Sequence, residues 1–132
     1  MHRPIVPPTI HPPLSAYSHG VEVPAGQRLV FCSGQIGMTG DGAIPATAYD
    51  QAVVCFDNIE AILAEVGLGL GQVVRLNAYV SAREHMKPYI DVRNARFATP
   101  LPAETLLIVA GFARPDCLVE VEAIAVGPAS EA

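Results

Sequence analysis

The sequence has 132 residues, 51% of them hydrophobic and only 16% charged, which suits one domain with a proper core and leaves no room for a second. The net charge of −5 and the scatter of the 8 basic residues argue against a nucleic-acid partner, because phosphate binding depends on clustered Lys and Arg. No segment approaches the ~20 apolar residues of a membrane span, and the start lacks a signal peptide, so we expect a cytoplasmic protein.

The N-terminal segment is rich in proline. Residues 1–14 contain "MHRPIVPPTIHPP" and are predicted to be an extended arm ahead of a single domain at residues 15–128. Two apolar segments follow, "YSHGVEV" from Tyr17 and "RLVFCSGQI" over Arg28–Ile36, separated by the turn "PAGQ". Their alternation predicts two strands paired as a hairpin.

A first helix is predicted after the glycine-rich turn that follows the hairpin. Thr47 and Asp50 have the spacing of a capping box, and Gly67 is suited to close the helix. Apolar residues between these signals recur at steps of three and four, as on the buried face of a helix. They are Ala52, Phe56, Ile59, Leu63 and Val66.

The second half of the chain predicts a strand, a helix and two further strands. "VVRLNAYVS", residues 73–81, alternates apolar and polar side chains as a strand does. A helix is expected over about His85–Ala98, with Met86, Ile90 and Phe97 facing inward, before the strands "TLLIVAGF" and "LVEVEAIAV". Helical crossovers in this order predict an α+β fold, in which a mixed sheet carries both helices on one face and leaves the other for a partner subunit.

The cysteines and histidines show no pattern of a metal or redox site. The odd cysteine count and the absence of CxxC spacing predict reduced, packed thiols at Cys32, Cys55 and Cys117. No i, i+4 pairing links His2, His11, His19 and His85. The sequence therefore predicts no metal site, and the glycines lack the GxGxxG-to-helix arrangement of a dinucleotide site.

Four segments together resemble one known family. "AYSHGVEV", "FCSGQIG", "QAVVCFDNIEAILAEVGLGLGQVVRLNAYV" and "LVEVEAIAV" have the order and spacing of the RidA family, also called YjgF, over about residues 15–126. The resemblance implies a chorismate-mutase-like subunit in a homotrimer, with ligand clefts between neighbouring subunits. It also implies hydrolysis of 2-imino or 2-enamino acids to 2-keto acids and ammonia, without metal or cofactor.

The resemblance also implies where the cleft lies. It matches the family's cleft tyrosine to Tyr17, its Ser-Gly pair to Ser33 and Gly34, and its catalytic carboxylate to Glu120. A carboxylate on an interface face is suited to handling a water proton, and backbone N–H groups at a strand end can bind an anionic oxygen. From strand alternation alone, Glu120 and its neighbour Glu122 could both be solvated side chains; we expect Glu122 to be structural.

One position departs from the family in a way that bears on function. The family's substrate-binding arginine falls on Glu104 of "PAETLL", and a common asparagine on the second helix is replaced by Ile90. Two carboxylates ~4 Å apart repel by roughly 4 kcal/mol at an effective dielectric near 20. The usual 2-imino acid is therefore not expected to bind in the family's pose.

Three functions are compatible with this departure. The first is a diverged deaminase or related hydrolase whose substrate offers Glu104 a cation or a hydrogen-bond donor, or in which Arg96 or Arg114 binds an anion. The second is a trimeric module that binds a small metabolite without catalysis. The third is a protein-interaction role, including the ribonuclease and translation-inhibitor labels used for the family, which the acidic charge disfavours most.

Overall fold

The computed structural model describes residues 2–129, within which two α-helices and six strands are formed. The elements are β1 (Arg3–Ile5), β2 (Gly20–Glu22), β3 (Arg28–Ile36), α1 (Ala48–Ala64), β4 (Val73–Val80), α2 (Met86–Arg96), β5 (Ala103–Ile108) and β6 (Val119–Gly127). Both helices lie between strands that share a sheet, so each serves as a crossover.

The main sheet has four strands in the order β3-β6-β4-β5. Strand β4 is parallel to β5, to which α2 connects it, whereas β6 is antiparallel to both β3 and β4. The helices contact each other, and α1 packs on β3 and β6. The prediction of an α+β fold with a mixed sheet and both helices on one face is confirmed.

Helix α1 begins and ends where its capping residues predict. Thr47 Oγ1 accepts a hydrogen bond of 3.1 Å from the Asp50 N–H, and Gly67 follows the helix with a φ of 74°. The predicted core side chains are fully buried against the sheet, namely Ala52, Phe56, Ile59 and Leu63. Val66 is 40% exposed instead, because it lies beyond the end of the helix.

The predicted hairpin between the first two segments is wrong. Strand β2 pairs with β1 in a separate two-stranded sheet, and β3 pairs only with β6 among the described residues. The reason lies just before β2, where the Ser18 N–H donates to Pro102 O at 3.0 Å and the Ser18 hydroxyl donates to Leu101 O at 2.7 Å. These bonds hold the segment beside the start of β5, at the opposite edge of the sheet from β3.

Helix α2 is shorter than predicted, and its inward face is broader than the predicted one. A 3-10 turn precedes it, and no side chain caps its first N–H groups. Its buried residues are Tyr89, Val92 and Arg93, and the predicted inward residues Met86, Ile90 and Phe97 are partly buried against the same core. The buried face of α2 therefore includes a charged side chain.

The predicted burial of the cysteines is confirmed. All three are free thiols and buried, and burial raises the pKa of Cys55 to about 12. In the part of the chain that the structure describes, no helix is both long and apolar enough to cross a membrane.

Candidate functional site

The face of the main sheet away from the helices carries the polar side chains. On β4 the side chains of Leu76, Ala78 and Val80 are fully buried on the helix side, so Asn77 and Tyr79 between them lie on the other side. Strand β6 alternates in the same way, and its register pairs Glu120 with Tyr79 and Glu122 with Asn77. We call this uncovered side the open face.

Glu122 is fixed within a hydrogen-bonded network on the open face. One of its oxygens, Oε1, accepts from the Tyr79 hydroxyl at 2.8 Å and from Asn77 Nδ2 at 3.0 Å. Arg75 extends the network by donating to Asn77 Oδ1 at 2.9 Å and to Thr105 Oγ1 at 2.8 Å. The hydrogen bond to the Glu122 carboxylate raises the pKa of Tyr79, because it favours the protonated phenol. These contacts hold the Glu122 carboxylate in place.

Glu120 lies beside the end of β3 rather than in that network. The β3–β6 register shifts between Cys32 and Gln35, which produces a bulge at Ser33 and Gly34. A methyl group added at Gly34 would lie 2.0 Å from Glu120 Oε2, so the carboxylate packs directly over the glycine backbone. The structure thus brings together three of the predicted site residues, and Glu120 remains partly exposed there.

Glu104 lies on the opposite side of the sheet. Its register neighbour on β4 is Leu76, which is fully buried under the helices. The Glu104 side chain is only 2% exposed and accepts hydrogen bonds from the Tyr89 hydroxyl and from Arg93 Nη1, both on α2. Burial, followed by the Glu104 charge, raises the pKa of Tyr89 well above its usual value.

The pairing of Glu104 corrects the premise of the expected electrostatic repulsion. That repulsion presumes a carboxylate that faces the ligand without a cation of its own. In the structure the Arg93 guanidinium neutralises Glu104 and encloses it within the chain. A direct clash between a ligand carboxylate and an unpaired Glu104 is therefore not expected.

Arg96 and Arg114, the two arginines considered as replacements, are engaged elsewhere. Arg96 donates to Asp57 at 2.9 Å on the surface of α1, and Arg114 pairs with Asp116 at 3.0 Å in an exposed loop. Neither lies against Glu104 in the described contacts. The arginine that does is Arg93, which the sequence prediction missed.

Tyr17 lies with the N-terminal arm, at the end of the sheet where β5 starts. Its hydroxyl accepts from the Leu14 N–H at 3.2 Å, and its ring lies edge-on to His19. A cavity of about 460 Å³ opens beside it. The lining residues are Pro4, Val6, Tyr17, Ser18, Thr99, Pro100 and Leu101.

The predicted site residues therefore form two groups within one chain. Ser33, Gly34 and Glu120 lie together on the open face, whereas Tyr17 and Glu104 lie near the start of β5. A single copy does not bring the groups into one cleft. Within residues 2–129, no cluster of three or more His, Cys, Asp or Glu side chains could hold a metal ion.

Comparison with known proteins identifies the family. The family model described as Endoribonuclease L-PSP matches residues 9–127, nearly the whole chain. The chain belongs to the RidA/YjgF family. The family prediction made from the four sequence segments is thereby confirmed, and this RidA/YjgF chain is grouped with imine and enamine deaminase-like proteins.

Three relatives illustrate the range of similarity within the RidA/YjgF family. TdcF of Escherichia coli (strain K12), assigned provisionally to the reactive intermediate deaminases, is 32% identical over 86% of this chain and 88% of its own. Its crystal structure with bound serine matches with a TM-score of 0.66 over 92% of this chain and 93% of that one. A 2-iminobutanoate/2-iminopropanoate deaminase of Dermatophagoides farinae is 29% identical, with 94% of this chain and 95% of that protein covered.

The third relative is more similar to this chain in structure than TdcF is. YyfB of Yersinia pestis, a Rid-family protein of unknown function, has a TM-score of 0.84 at 26% identity, covering 94% of this chain and 97% of that one. The backbone of this chain thus follows YyfB more closely than TdcF, although its sequence identity to YyfB is lower.

Proposed function

We propose that this chain forms a cytoplasmic homotrimer and hydrolyses a small imine or enamine in clefts between its copies. Family membership supports the reaction class, since relatives bear deaminase names. The division of the predicted site residues into two groups supports a cleft shared by two copies, because one chain holds the two groups apart. In this proposal the open face of one copy supplies Glu120, Ser33 and Gly34, and another copy supplies the region around Tyr17 and Glu104.

The observation that carries the catalytic part is the position of Glu120 over the bulge. Gly34 has no side chain to keep the carboxylate away, so a carboxylate and the backbone of a strand end meet at one point. A general base must lie within hydrogen-bond reach of the proton it takes, and backbone N–H groups at such a bulge suit a developing negative charge. Partial exposure of Glu120 leaves room for water beside it.

The proposed chemistry requires no group beyond the chain and water. A water molecule adds to the carbon of the C=N bond while Glu120 accepts its proton. Glu120 returns that proton to the nitrogen to give a carbinolamine. Glu120 then takes the proton of the carbinolamine hydroxyl and passes it to the nitrogen as the C–N bond breaks, so that the products are a carbonyl compound and ammonia. Ser33 and Gly34 orient the ligand during these steps, and no cofactor is used.

The substrate proposed differs from that of the standard deaminases. A free arginine at position 104 would offer a two-pronged contact to a substrate carboxylate, whereas this chain has a glutamate already paired with Arg93. The loss of that attraction, rather than repulsion, disfavours 2-iminopropanoate. We therefore propose a substrate whose binding does not depend on a contact between its own carboxylate and residue 104.

The replacement of the arginine also favours a second candidate, a trimeric protein that binds a small metabolite without catalysis. A thermal-shift screen with amines, keto acids and imines separates the two functions. A ligand that raises the melting temperature and is recovered unchanged supports binding alone, whereas its conversion to a carbonyl compound supports catalysis.

Catalysis is tested with imines generated in situ by an amino-acid oxidase. We expect no acceleration with 2-iminopropanoate, and we expect any imine or enamine that is hydrolysed to lose ~100-fold or more in rate in Glu120→Ala. Glu122→Ala is the matched control, because it removes a carboxylate from the same strand and the same face. Clear acceleration with 2-iminopropanoate, or equal losses in both variants, would contradict the proposal. Light scattering tests the trimer.

A further inference from the structure

The ion pair under the start of β5 has the composition of an occupied carboxylate-binding site. Arg93 donates from Nη1 to Glu104, and from Nη2 to Ser15 Oγ at 2.7 Å and Asn94 Oδ1 at 3.0 Å. The Tyr89 hydroxyl donates to the second oxygen of Glu104. A guanidinium and a phenol that converge on one carboxylate are the donors such a site would offer to a bound acid.

The burial of this cluster shows that its charges depend on each other. The side chains of Arg93 and Glu104 are 3% and 2% exposed, so neither is solvated by bulk water. Arg93 Nε is also buried and has no hydrogen-bond partner within residues 2–129. A buried guanidinium whose carboxylate has been removed is therefore expected to bind another anion, because an unpaired buried charge is unfavourable.

The segment before β2 contacts the cluster. Ser15 belongs to the segment before β2, and Ser18, three residues on, fastens that segment to Leu101. The cavity beside Tyr17 and Ser18 lies at the same end of β5 as Glu104. The segment before β2 therefore contacts the pair through Ser15 and lines the cavity through Tyr17 and Ser18.

We propose that Arg93 is the carboxylate-binding group of this chain and that Glu104 occupies it permanently as a built-in carboxylate. The pair is then a specificity determinant, because a free carboxylic acid finds the guanidinium already filled. The consequence for substrate choice rests on the function proposed above, whereas binding by Arg93 can be measured without any catalysis.

The test removes Glu104 and supplies its carboxylate from solution. Glu104→Ala deletes atoms that correspond to one acetate molecule, leaving Arg93 and Tyr89 in place. Acetate is titrated against chloride at constant ionic strength while thermal unfolding is followed. We expect acetate, in excess over a dissociation constant on the order of millimolar, to stabilise Glu104→Ala by roughly 4 °C or more, with a shift that rises with the logarithm of the acetate concentration. Benzoate, which is too large for the vacated space, is expected to have no such effect.

Three control proteins define the result. The wild-type chain should show no acetate effect beyond that of chloride, because Glu104 fills the site. The double variant Arg93→Met/Glu104→Ala should lose the effect, because it lacks the guanidinium. Glu60→Ala, which removes an exposed carboxylate from Arg96, should also show none.

Several outcomes would overturn the proposal. These are a folded Glu104→Ala variant that responds to acetate no more than to chloride, a response that persists in the double variant, and wild-type protein that binds acetate equally well. If Glu104→Ala is unfolded in chloride, circular dichroism replaces thermal unfolding, and acetate must then restore the folded spectrum. A failed imine assay leaves this result intact, so the two proposals fail separately.

Discussion

The two faces of the main sheet place similar residues in opposite situations. Phe56 on the helix-covered side is fully buried and packs against Tyr89 and Phe97, whereas Phe31 on the open face is 68% exposed. The glutamates differ in the same way: Glu104 is enclosed with Arg93, whereas Glu120 on the open face is partly exposed. The covered face is packed within one chain, whereas the open face leaves apolar side chains exposed.

If the chain forms the proposed trimer, this difference separates residues that stabilise one chain from residues that act in the assembly. Exposed apolar side chains next to a satisfied polar network are typical of a surface that a partner covers. On the open face these side chains include Leu29, Phe31 and Leu107. Changes on the covered face should therefore alter the stability of the chain, and changes on the open face should alter assembly and the proposed cleft.

The largest expected effect tests this separation with one residue type on both faces. Phe56→Ala should lower the free energy of unfolding by about 3–5 kcal/mol, because it leaves a cavity between α1 and α2. Phe31→Ala should change it by less than about 0.5 kcal/mol when measured at low protein concentration, where assembly contributes least. Urea unfolding of the two variants and the wild-type chain measures both values.

The same pair of variants gives a second readout. Light scattering should show a smaller assembly for Phe31→Ala than for the wild-type chain. The folded fraction of Phe56→Ala should form an assembly of unchanged size. If Phe31→Ala destabilised the isolated chain as much as Phe56→Ala, the open face would be part of the core of a single chain, and the comparison between the faces would fail.

Which residues are buried on the covered face was predicted from the sequence better than which strands pair at the edges of the sheet. The buried positions of α1 and the alternation of β4 follow directly from periods of 3.6 and 2, which one chain's own core imposes. The pairing of β2 depends on Ser18 and its bonds to Pro102 and Leu101, which lie more than eighty residues away in sequence. Local patterns carry no information on such a distant contact, so a hairpin was the wrong prediction.

A smaller effect is expected at the bulge of the open face. Gly34→Ala places a methyl group 2.0 Å from Glu120 Oε2 and must displace the carboxylate. We expect a loss of about 1–3 kcal/mol of stability, together with loss of any activity that depends on Glu120. Gly40→Ala is the control, since its added methyl group would meet nothing within 4 Å. Urea unfolding and the imine assay, applied to both variants, decide whether the bulge positions Glu120.

The roles of Gly34 and Arg93 show what could be predicted of the candidate site. Ser33, Gly34 and Glu120 were found through their match to the family motif, and the structure places them together. Arg93 lies seven residues after Met86 and three after Ile90, on the helix face predicted to point inward, and it was missed because only the apolar residues of that face were assigned to the core. Tyr89 and Arg93 are spaced i, i+4 and share one helix face, but an arginine at such a position is ordinarily on the surface. Its burial depends on Glu104, a contact between elements that helical periodicity does not reveal.

The smallest expected effect concerns the hydroxyl of Tyr79 on the open face. Its hydrogen bond to Glu122 raises the pKa of Tyr79, so the folded chain binds the phenolic proton more tightly than the unfolded chain does. The resulting stabilisation is fully present below the ordinary tyrosine pKa of about 10 and is lost as pH rises through the higher value of the folded chain. Tyr79→Phe should therefore cost about 1 kcal/mol at pH 7 and less than that at pH 11. Urea unfolding at both pH values measures the difference, with Tyr49→Phe on the exposed side of α1 as the control. An equal cost at both pH values would show that the hydroxyl stabilises the fold by packing, and that the network around Glu122 does not depend on its proton.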